Sequence, residues 1–234
     1  MNHLLLLPGL MCDATFWRPL LDDGRLTAAP TVIDYGDADS LSLMAERALA
    51  LAPNRFALAG HSMGGRVALE MMRVAPERVQ RLMLMDTGYR PLAAGAAGDS
   101  ERAGRLALVD LARREGVAAM CKAWTQGMVH PDRLNDQQLL DAIGRMFQRK
   151  SAELFARQQQ ALLRRADAAS ALSGLSIPLL LLCGRQDNWA SVAQHEAMRQ
   201  LAPNAELTVI EDAGHMVLME RPAATIRALL EFLQ

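Results

Sequence analysis

Six short runs of mostly apolar residues recur along the chain, each bounded by turn residues or by a more polar segment. They occupy residues 4–7, 31–34, 56–59, 82–85, 179–182 and 207–210. Continuous apolar character, rather than strict alternation, is typical of strands buried on both faces of a parallel sheet. The pattern therefore predicts six buried strands.

Helical patterns lie between most of these runs. They cover residues 40–51, 63–75, 191–201 and 222–233. Ser40 is a suitable N-cap, and Pro222 stands where the first turn of a helix tolerates proline. Strands that alternate with helices predict an α/β fold, with a mostly parallel sheet of about six strands and helices on both faces.

One long stretch, residues 90–172, breaks this alternation. It contains no strand pattern, and helical patterns cover residues 101–114, 117–127, 136–148 and 152–165. A helical stretch between two sheet strands predicts an insertion that packs over one edge of the sheet. We therefore expect a core formed by residues 1–89 and 173–234, with residues 90–172 as a helical cap.

Composition narrows the class of protein. The chain has 234 residues, is 51% hydrophobic and 22% charged, and carries a formal net charge of −1, so neither nucleic acid nor an anionic membrane surface is an expected partner. The three cysteines form no CxxC pair and no metal-binding cluster. The apolar residues 4–7 are too few for a signal-peptide core, and we expect a cytoplasmic protein without metal or cofactor.

The strongest chemical motif is Gly60-His61-Ser62-Met63-Gly64, which follows the third predicted strand and opens a helix. It matches G-x-S-x-G, in which a tight turn projects a serine hydroxyl and the flanking glycines relieve the crowding. The free N–H groups at the start of the following helix can bind an oxyanion. Ser62 is therefore the candidate nucleophile.

On these residues the chain resembles the α/β-hydrolase superfamily, in its serine esterase/lipase-like branch with a helical cap. The resemblance covers nearly the whole chain and implies the order nucleophile, acid, histidine. His215, in a loop after the last predicted strand, corresponds to the catalytic histidine. His130 and His195 are the alternatives, of which His195 falls in a helix and is expected on the surface.

The acid follows from the same resemblance. Asp187 ends a G-x-x-D turn after the fifth predicted strand, and 28 residues separate it from His215, which is enough for one helix and one strand. A carboxylate there would orient the imidazole. Asp86, after the fourth predicted strand, is the rival because some relatives place the acid at that point.

Two backbone N–H groups are needed to bind an oxyanion. The resemblance assigns them to Met63 and to Leu10, although Pro8 replaces the histidine that usually precedes the glycine of this loop. Side chains close to these points in the sequence or within the cap are candidate substrate contacts. They are Met11, Tyr89, Trp124 and Trp189.

These assignments predict a serine hydrolase that cleaves carboxylic esters of small apolar substrates through an acyl-enzyme intermediate. A small-molecule ester is then the expected partner. Serine at position 62 argues against the dehalogenase and epoxide hydrolase branches, whose nucleophile is aspartate. A C–C bond hydrolase, lactonase, thioesterase, cofactor-free perhydrolase or slow-turnover signal receptor remains an alternative, since fold analogy does not separate them.

Overall fold

The computed structural model describes residues 3–234, which form a six-stranded sheet with helices on both faces. All neighbouring strands pair in parallel, in the order β2-β1-β3-β4-β5-β6. The strands are β1 (His3–Leu7), β2 (Ala29–Val32), β3 (Phe56–His61), β4 (Val79–Met85), β5 (Leu179–Gly184) and β6 (Glu206–Ile210).

The described residues form eleven α-helices. They are α1 (Ala14–Leu21), α2 (Leu41–Leu51), α3 (Met63–Val74), α4 (Ala96–Glu115), α5 (Val117–Trp124), α6 (Gln137–Gln148), α7 (Ala152–Leu163), α8 (Ala169–Ser173), α9 (Val192–Leu201), α10 (Val217–Glu220) and α11 (Pro222–Leu233). One layer contains α2, α3, α8 and α9, and the other contains α1, α10 and α11. Within residues 3–234, no helix combines the length and apolar character needed to cross a membrane.

The predicted strand positions are confirmed, but the prediction that all six are buried on both faces is wrong for the two edges. β1, β3, β4 and β5 are almost wholly buried, whereas β2 and β6 are mostly exposed or half-buried. An edge strand has a neighbour on one side only, and Pro30 is tolerated in β2 because an edge leaves N–H positions unpaired. β2 also begins two residues before the predicted run.

The segment of residues 90–172, which we call the cap segment, contains no strand in the structure. The chain enters this segment and returns from it at neighbouring points, where the Ala168 N–H donates to the Tyr89 carbonyl at 3.0 Å. Its last helix, α8, packs against α3 and α9 and so extends the sheet-covering layer. Helices α4 to α7 form the remainder of the cap segment.

The strand order reverses between β1 and β3, because β2 lies on one side of β1 while β3 and the later strands lie on the other. In open parallel sheets, ligands bind at the carboxyl ends of the strands beside such a reversal. The loop after β1, Ser62 after β3 and Asp86 after β4 all lie at that end. The topology thus brings together groups that are distant in sequence.

Glycines let α3 approach the sheet closely. A Cβ atom at Gly60 would come within 2.7 Å of the Gly65 Cα, and one at Gly64 would overlap the Leu7 carbonyl oxygen. These neighbours are backbone atoms that cannot rotate away. Glycine at these positions is therefore a packing requirement of the turn between β3 and α3.

We expect Gly64→Ala to lower the free energy of unfolding by about 1–3 kcal/mol, because backbone must shift to admit the methyl group. Gly144→Ala is the matched control. It lies inside α6, where the nearest atom to an added Cβ is a flexible Gln148 side-chain nitrogen at 3.5 Å. That change should instead stabilise by about 0.5–1 kcal/mol. Urea unfolding followed by circular dichroism measures both, and equal effects would contradict the packing argument.

Candidate active site

Ser62 occupies a strained turn between β3 and α3. Its φ of 54° and ψ of −115° are unusual for a residue with a side chain. Hydrogen bonds hold the strained residue from two sides. The Ser62 N–H donates to the Met85 carbonyl at 2.9 Å, and the Thr87 hydroxyl donates to the Ser62 carbonyl at 2.7 Å. The end of β4 therefore fixes the position of the candidate nucleophile.

The three predicted catalytic side chains lie in one hydrogen-bonded chain. His215 Nε2 is 2.8 Å from Ser62 Oγ, and His215 Nδ1 is 2.7 Å from Asp187 Oδ2. Asp187 Oδ1 also accepts the N–H groups of Trp189 and Ala190, at 2.8 and 3.0 Å. Residues that are 28 and 153 positions from His215 in sequence thus meet at its ring.

Asp187 is the ionised member of this chain. Burial opposes its ionisation, but the adjacent His215 ring and the backbone N–H donors outweigh burial and hold the pKa of this carboxyl below its usual range. A carboxylate can only accept, so His215 Nδ1 carries the proton that it donates to Asp187. His215 Nε2 then presents its lone pair to the Ser62 hydroxyl, as a general base requires.

Asp86, the rival acid, is buried but makes no hydrogen bond to His215. Its Oδ1 accepts the Gly184 N–H at 2.9 Å, and its Oδ2 has no hydrogen-bond partner within residues 3–234. Burial and the charge of Asp187 raise the pKa of Asp86 well above its usual range. The geometry favours Asp187 for the orienting role.

Neither alternative histidine makes a hydrogen bond to Ser62 among residues 3–234. His130 Nδ1 accepts the Asp132 N–H at 3.1 Å in a turn of the cap segment. The expectation that His195 lies on the surface is wrong, since it is 0% exposed. Helix α9 packs on β5 and β6, and His195 and Met198 share its inward face. The side of α9 that faces the sheet is set by tertiary packing, which the position of His195 within a helical pattern does not reveal.

The two candidate oxyanion donors, Leu10 and Met63, face a common cavity. The structure records no hydrogen bond from either backbone N–H to another of residues 3–234, so both are free to bind a ligand. Replacing the usual histidine by Pro8 does not leave this loop unsupported. The Tyr35 hydroxyl donates to the Pro8 carbonyl at 3.2 Å.

Gln158 provides a second support for the same loop, from the cap segment. Its Oε1 accepts the Met11 N–H at 2.8 Å, and its side chain is buried. Met11 itself has a φ of 61°, so this hydrogen bond stabilises a backbone conformation that residues with side chains rarely adopt. Sequence patterns gave no sign of this contact, because 147 residues separate its two partners.

Hydrogen bonds fix both the backbone N–H and the backbone carbonyl of His215. The His215 N–H donates to the Met128 carbonyl at 2.7 Å, and His61 Nε2 donates to the His215 carbonyl at 2.8 Å. His61 stacks on Phe16 with ring centroids 3.9 Å apart. Burial lowers the pKa of His61 to about 3, which keeps it neutral and able to donate from one nitrogen only.

Glu220 is a further buried group that holds the His215 loop. Its Oε1 accepts the N–H groups of Gly214 and Met216, at 3.0 and 3.1 Å, and its Oε2 accepts the His130 N–H at 2.7 Å. Burial raises the pKa of Glu220. This carboxyl connects the cap segment to the residues on either side of His215, a role that sequence reasoning missed.

A cavity of about 450 Å³ opens above Ser62 and His215, between the sheet domain and the cap segment. Of the four predicted substrate contacts, Trp124 and Trp189 line it. Met11 and Tyr89 do not line it, and their contact with a substrate stays a prediction. Met11 is wholly buried within the loop after β1, and the Tyr89 hydroxyl accepts a hydrogen bond from Arg90 at 3.1 Å.

Charged side chains also line this cavity, and the sequence analysis did not assign them. They are Arg66, Arg105, Arg165 and Glu101. One sequence signal was available, since Arg66 lies four residues after Ser62 and hence one helical turn along α3. Arg105, Arg165 and Glu101 belong to the cap segment. The pattern of hydrophobic and polar positions does not specify how that segment packs on the rest of the protein.

A family model described as the alpha/beta hydrolase family matches residues 4–228. The chain belongs to the alpha/beta hydrolase family. This finding confirms the resemblance and the predicted fold class, and it includes the strands, Ser62 and the His215 loop within the match.

Several relatives of this alpha/beta hydrolase match over nearly its full length. A pimeloyl-acyl-carrier-protein methyl ester esterase of Klebsiella pneumoniae is 29% identical, over 97% of this chain and 92% of the relative. A 2-succinyl-6-hydroxy-2,4-cyclohexadiene-1-carboxylate synthase of Salmonella arizonae is 26% identical, over 100% and 94%. The structure of a thermophilic esterase from Thermogutta terrifontis, with malate bound, superposes with a TM-score of 0.86 at 26% identity, over 100% and 89%.

We expect Asp187→Asn to reduce turnover by about 10⁴-fold, because an amide permits the wrong imidazole tautomer. Asp86 makes no hydrogen bond to His215, so Asp86→Asn, which keeps the shape of the side chain, should change turnover by less than about tenfold. Steady-state kinetics on one ester, with circular dichroism to confirm folding, compares the variants. The reverse ranking would assign the acid role to Asp86.

Proposed function

We propose that this alpha/beta hydrolase is a serine hydrolase that cleaves small carboxylic esters through Ser62, His215 and Asp187. The observation that carries the proposal is the continuous hydrogen-bonded chain from Ser62 Oγ through His215 to Asp187 at the floor of the cavity. A hydroxyl, a base and an orienting carboxylate in this order are the parts that nucleophilic acyl transfer requires.

In the first half-reaction, His215 Nε2 accepts the proton of the Ser62 hydroxyl while Oγ attacks the ester carbonyl. The charge that develops on the carbonyl oxygen is stabilised by the N–H groups of Leu10 and Met63. His215 then donates its proton to the departing alcohol. An acyl group remains bound to Ser62 Oγ.

In the second half-reaction, a water molecule takes the place of the alcohol beside His215. His215 accepts a proton from this water, which attacks the acyl carbonyl, and the carboxylic acid leaves as Ser62 regains its proton. Asp187 stays ionised in both steps and stabilises the charged imidazole. Its depressed pKa supports that role.

The cap segment forms the other wall of the reaction space in this proposal. Trp124 of α5 stacks on Trp189 with centroids 5.4 Å apart, and Trp189 meets the His215 ring edge-on at 4.9 Å. Phe147 of α6 packs against Trp124 at 5.5 Å. These aromatic rings place apolar surface beside His215 and give the cavity an apolar wall for an acyl or alcohol chain.

The decisive experiment compares the wild type and Ser62→Ala on p-nitrophenyl esters of increasing acyl length, with lactones and thioesters as further substrates. We expect wild-type ester turnover and a loss of several orders of magnitude in the variant, since the nucleophile acts as part of a unit. Mass spectrometry should detect the acyl group on Ser62. Ester turnover that survives in Ser62→Ala would reject the proposal, and a preference for lactones or thioesters would redirect it.

Trimming the apolar wall should change chain-length preference. Trp124→Ala removes a ring that lines the cavity, and we expect the optimum to move to longer chains with a several-fold change in relative kcat/KM per carbon. Met146→Ala is the matched control, because Met146 is buried in the same cap segment but does not line the cavity. A p-nitrophenyl ester series measures both variants. An unchanged profile in Trp124→Ala would exclude this wall from substrate binding.

A further inference from the structure

Arg66 brings a positive charge to the cavity that the hydrolytic mechanism does not use. Its Nη1 donates to the Arg90 carbonyl at 2.9 Å. A guanidinium has five N–H donors, and the structure records no other protein partner for this one within residues 3–234. Burial lowers the pKa of Arg66 to about 9, with Arg165 and Arg105 contributing further repulsion, so the group remains cationic near pH 7.

Positive charge exceeds negative charge at this end of the cavity. Arg165 binds both carboxylate oxygens of Glu101 at 2.8 Å, and Arg105 Nε donates to the same carboxylate at 2.8 Å. Arg165 also donates to the Arg90 carbonyl that Arg66 uses, at 3.2 Å, so two guanidinium groups meet at one oxygen. The one carboxylate in this cluster therefore leaves a formal excess of positive charge.

A second donor without a partner lines the same cavity. Gln159 Oε1 accepts a hydrogen bond from Arg105 Nη1 at 2.7 Å, which fixes the orientation of its amide. The amide nitrogen, Nε2, is buried and has no hydrogen-bond partner within residues 3–234. Gln159 is 1% exposed. A buried donor left unpaired costs free energy unless a ligand accepts from it.

We propose that Arg66 and Gln159 bind a carboxylate on the substrate, at the end of the molecule away from the scissile ester. The inference rests on the proposed ester hydrolysis and narrows its substrate class to half-esters of small dicarboxylic acids. A carboxylate has two acceptor oxygens and matches the forked donors of a guanidinium. It also supplies the negative charge that the cluster of Arg66, Arg105, Arg165 and Glu101 lacks.

The roles within the cluster differ. Arg105 and Arg165 are paired with Glu101 inside the cap segment, while Arg66 keeps most of its donors for the ligand. Arg66 stands one turn after Ser62 on α3, so the helix that presents the nucleophile also presents the anion-binding group. The distance between the two sets the acyl length that fits, which a series of half-esters can measure.

Binding tests this inference without turnover. In a Ser62→Ala background, isothermal titration should show tighter binding of the monomethyl esters of succinate, glutarate or adipate than of the matching dimethyl esters. Adding Arg66→Gln should weaken half-ester binding by about 10- to 100-fold, the range for a charge-assisted hydrogen bond. Gln159→Met, which keeps the side-chain length, should weaken it by about tenfold.

Arg73→Gln is the matched control, because Arg73 lies on the same helix, is exposed and pairs with Glu70 at 3.4 Å. It should leave half-ester binding unchanged. Equal affinity for half-esters and dimethyl esters in the Ser62→Ala protein would overturn the inference. So would equal effects of Arg66→Gln and Arg73→Gln, provided that circular dichroism shows both variants folded.

Kinetics separate this inference from the function on which it rests. The wild type should hydrolyse a half-ester with a higher kcat/KM than its dimethyl ester, and Arg66→Gln should reduce that ratio by about tenfold or more. Ser62-dependent hydrolysis without such a preference would support the ester hydrolase and reject the carboxylate site. Selective half-ester binding without hydrolysis of either ester would support the carboxylate site and reject ester hydrolysis.

Discussion

The close approach of α3 to the sheet, made possible by glycines at the turn that carries Ser62, is the constraint on which the candidate site depends. Only atoms as small as the hydrogens of Gly60 and Gly64 fit between α3, β3 and the end of β1. The strained Ser62 backbone costs on the order of 1–3 kcal/mol, and the surrounding packing holds it in place. Because the turn is rigid, the loop after β1 and the end of β4 meet the nucleophile at fixed positions.

Two aspartates near this turn show how position decides protonation. Asp187 has a histidine and two backbone N–H donors around it, and its pKa falls. Asp86 accepts the Gly184 N–H, but burial and the nearby charge of Asp187 raise its pKa. Asp187 stabilises the folded protein at pH values above the pKa that this carboxyl has in the unfolded chain. This stabilisation is lost as pH falls through the lower pKa of the folded state. Asp86 affects the pH dependence of the free energy of unfolding in the opposite direction. Its favourable contribution is present at low pH and is lost as pH rises through its raised pKa in the folded state.

The sequence predicted those features that depend on local pattern. The apolar runs located all six strands, and the G-x-S-x-G turn, the G-x-x-D turn and the loop after the last strand led to Ser62, Asp187 and His215, which the structure brings within hydrogen-bond distance. Edge exposure of β2 and β6 was missed because it depends on strand order, which residue composition does not reveal. The burial of His195 and the absence of Met11 and Tyr89 from the cavity depend on tertiary packing in the same way.

The contacts of the cap segment explain why the cavity wall was the hardest part to predict. They also show that this segment does more than cover the cavity. Gln158 holds the loop that presents Leu10, and the Met128 carbonyl holds the His215 backbone. The cap segment therefore supports the candidate oxyanion donor and the candidate base, while its arginines and aromatic rings shape the space for substrate. Displacing an acyl-transfer group by about 1 Å can cost about 100-fold in rate. Changes in the cap segment that alter substrate fit will therefore alter the rate of the chemical step as well, because the same helices position both.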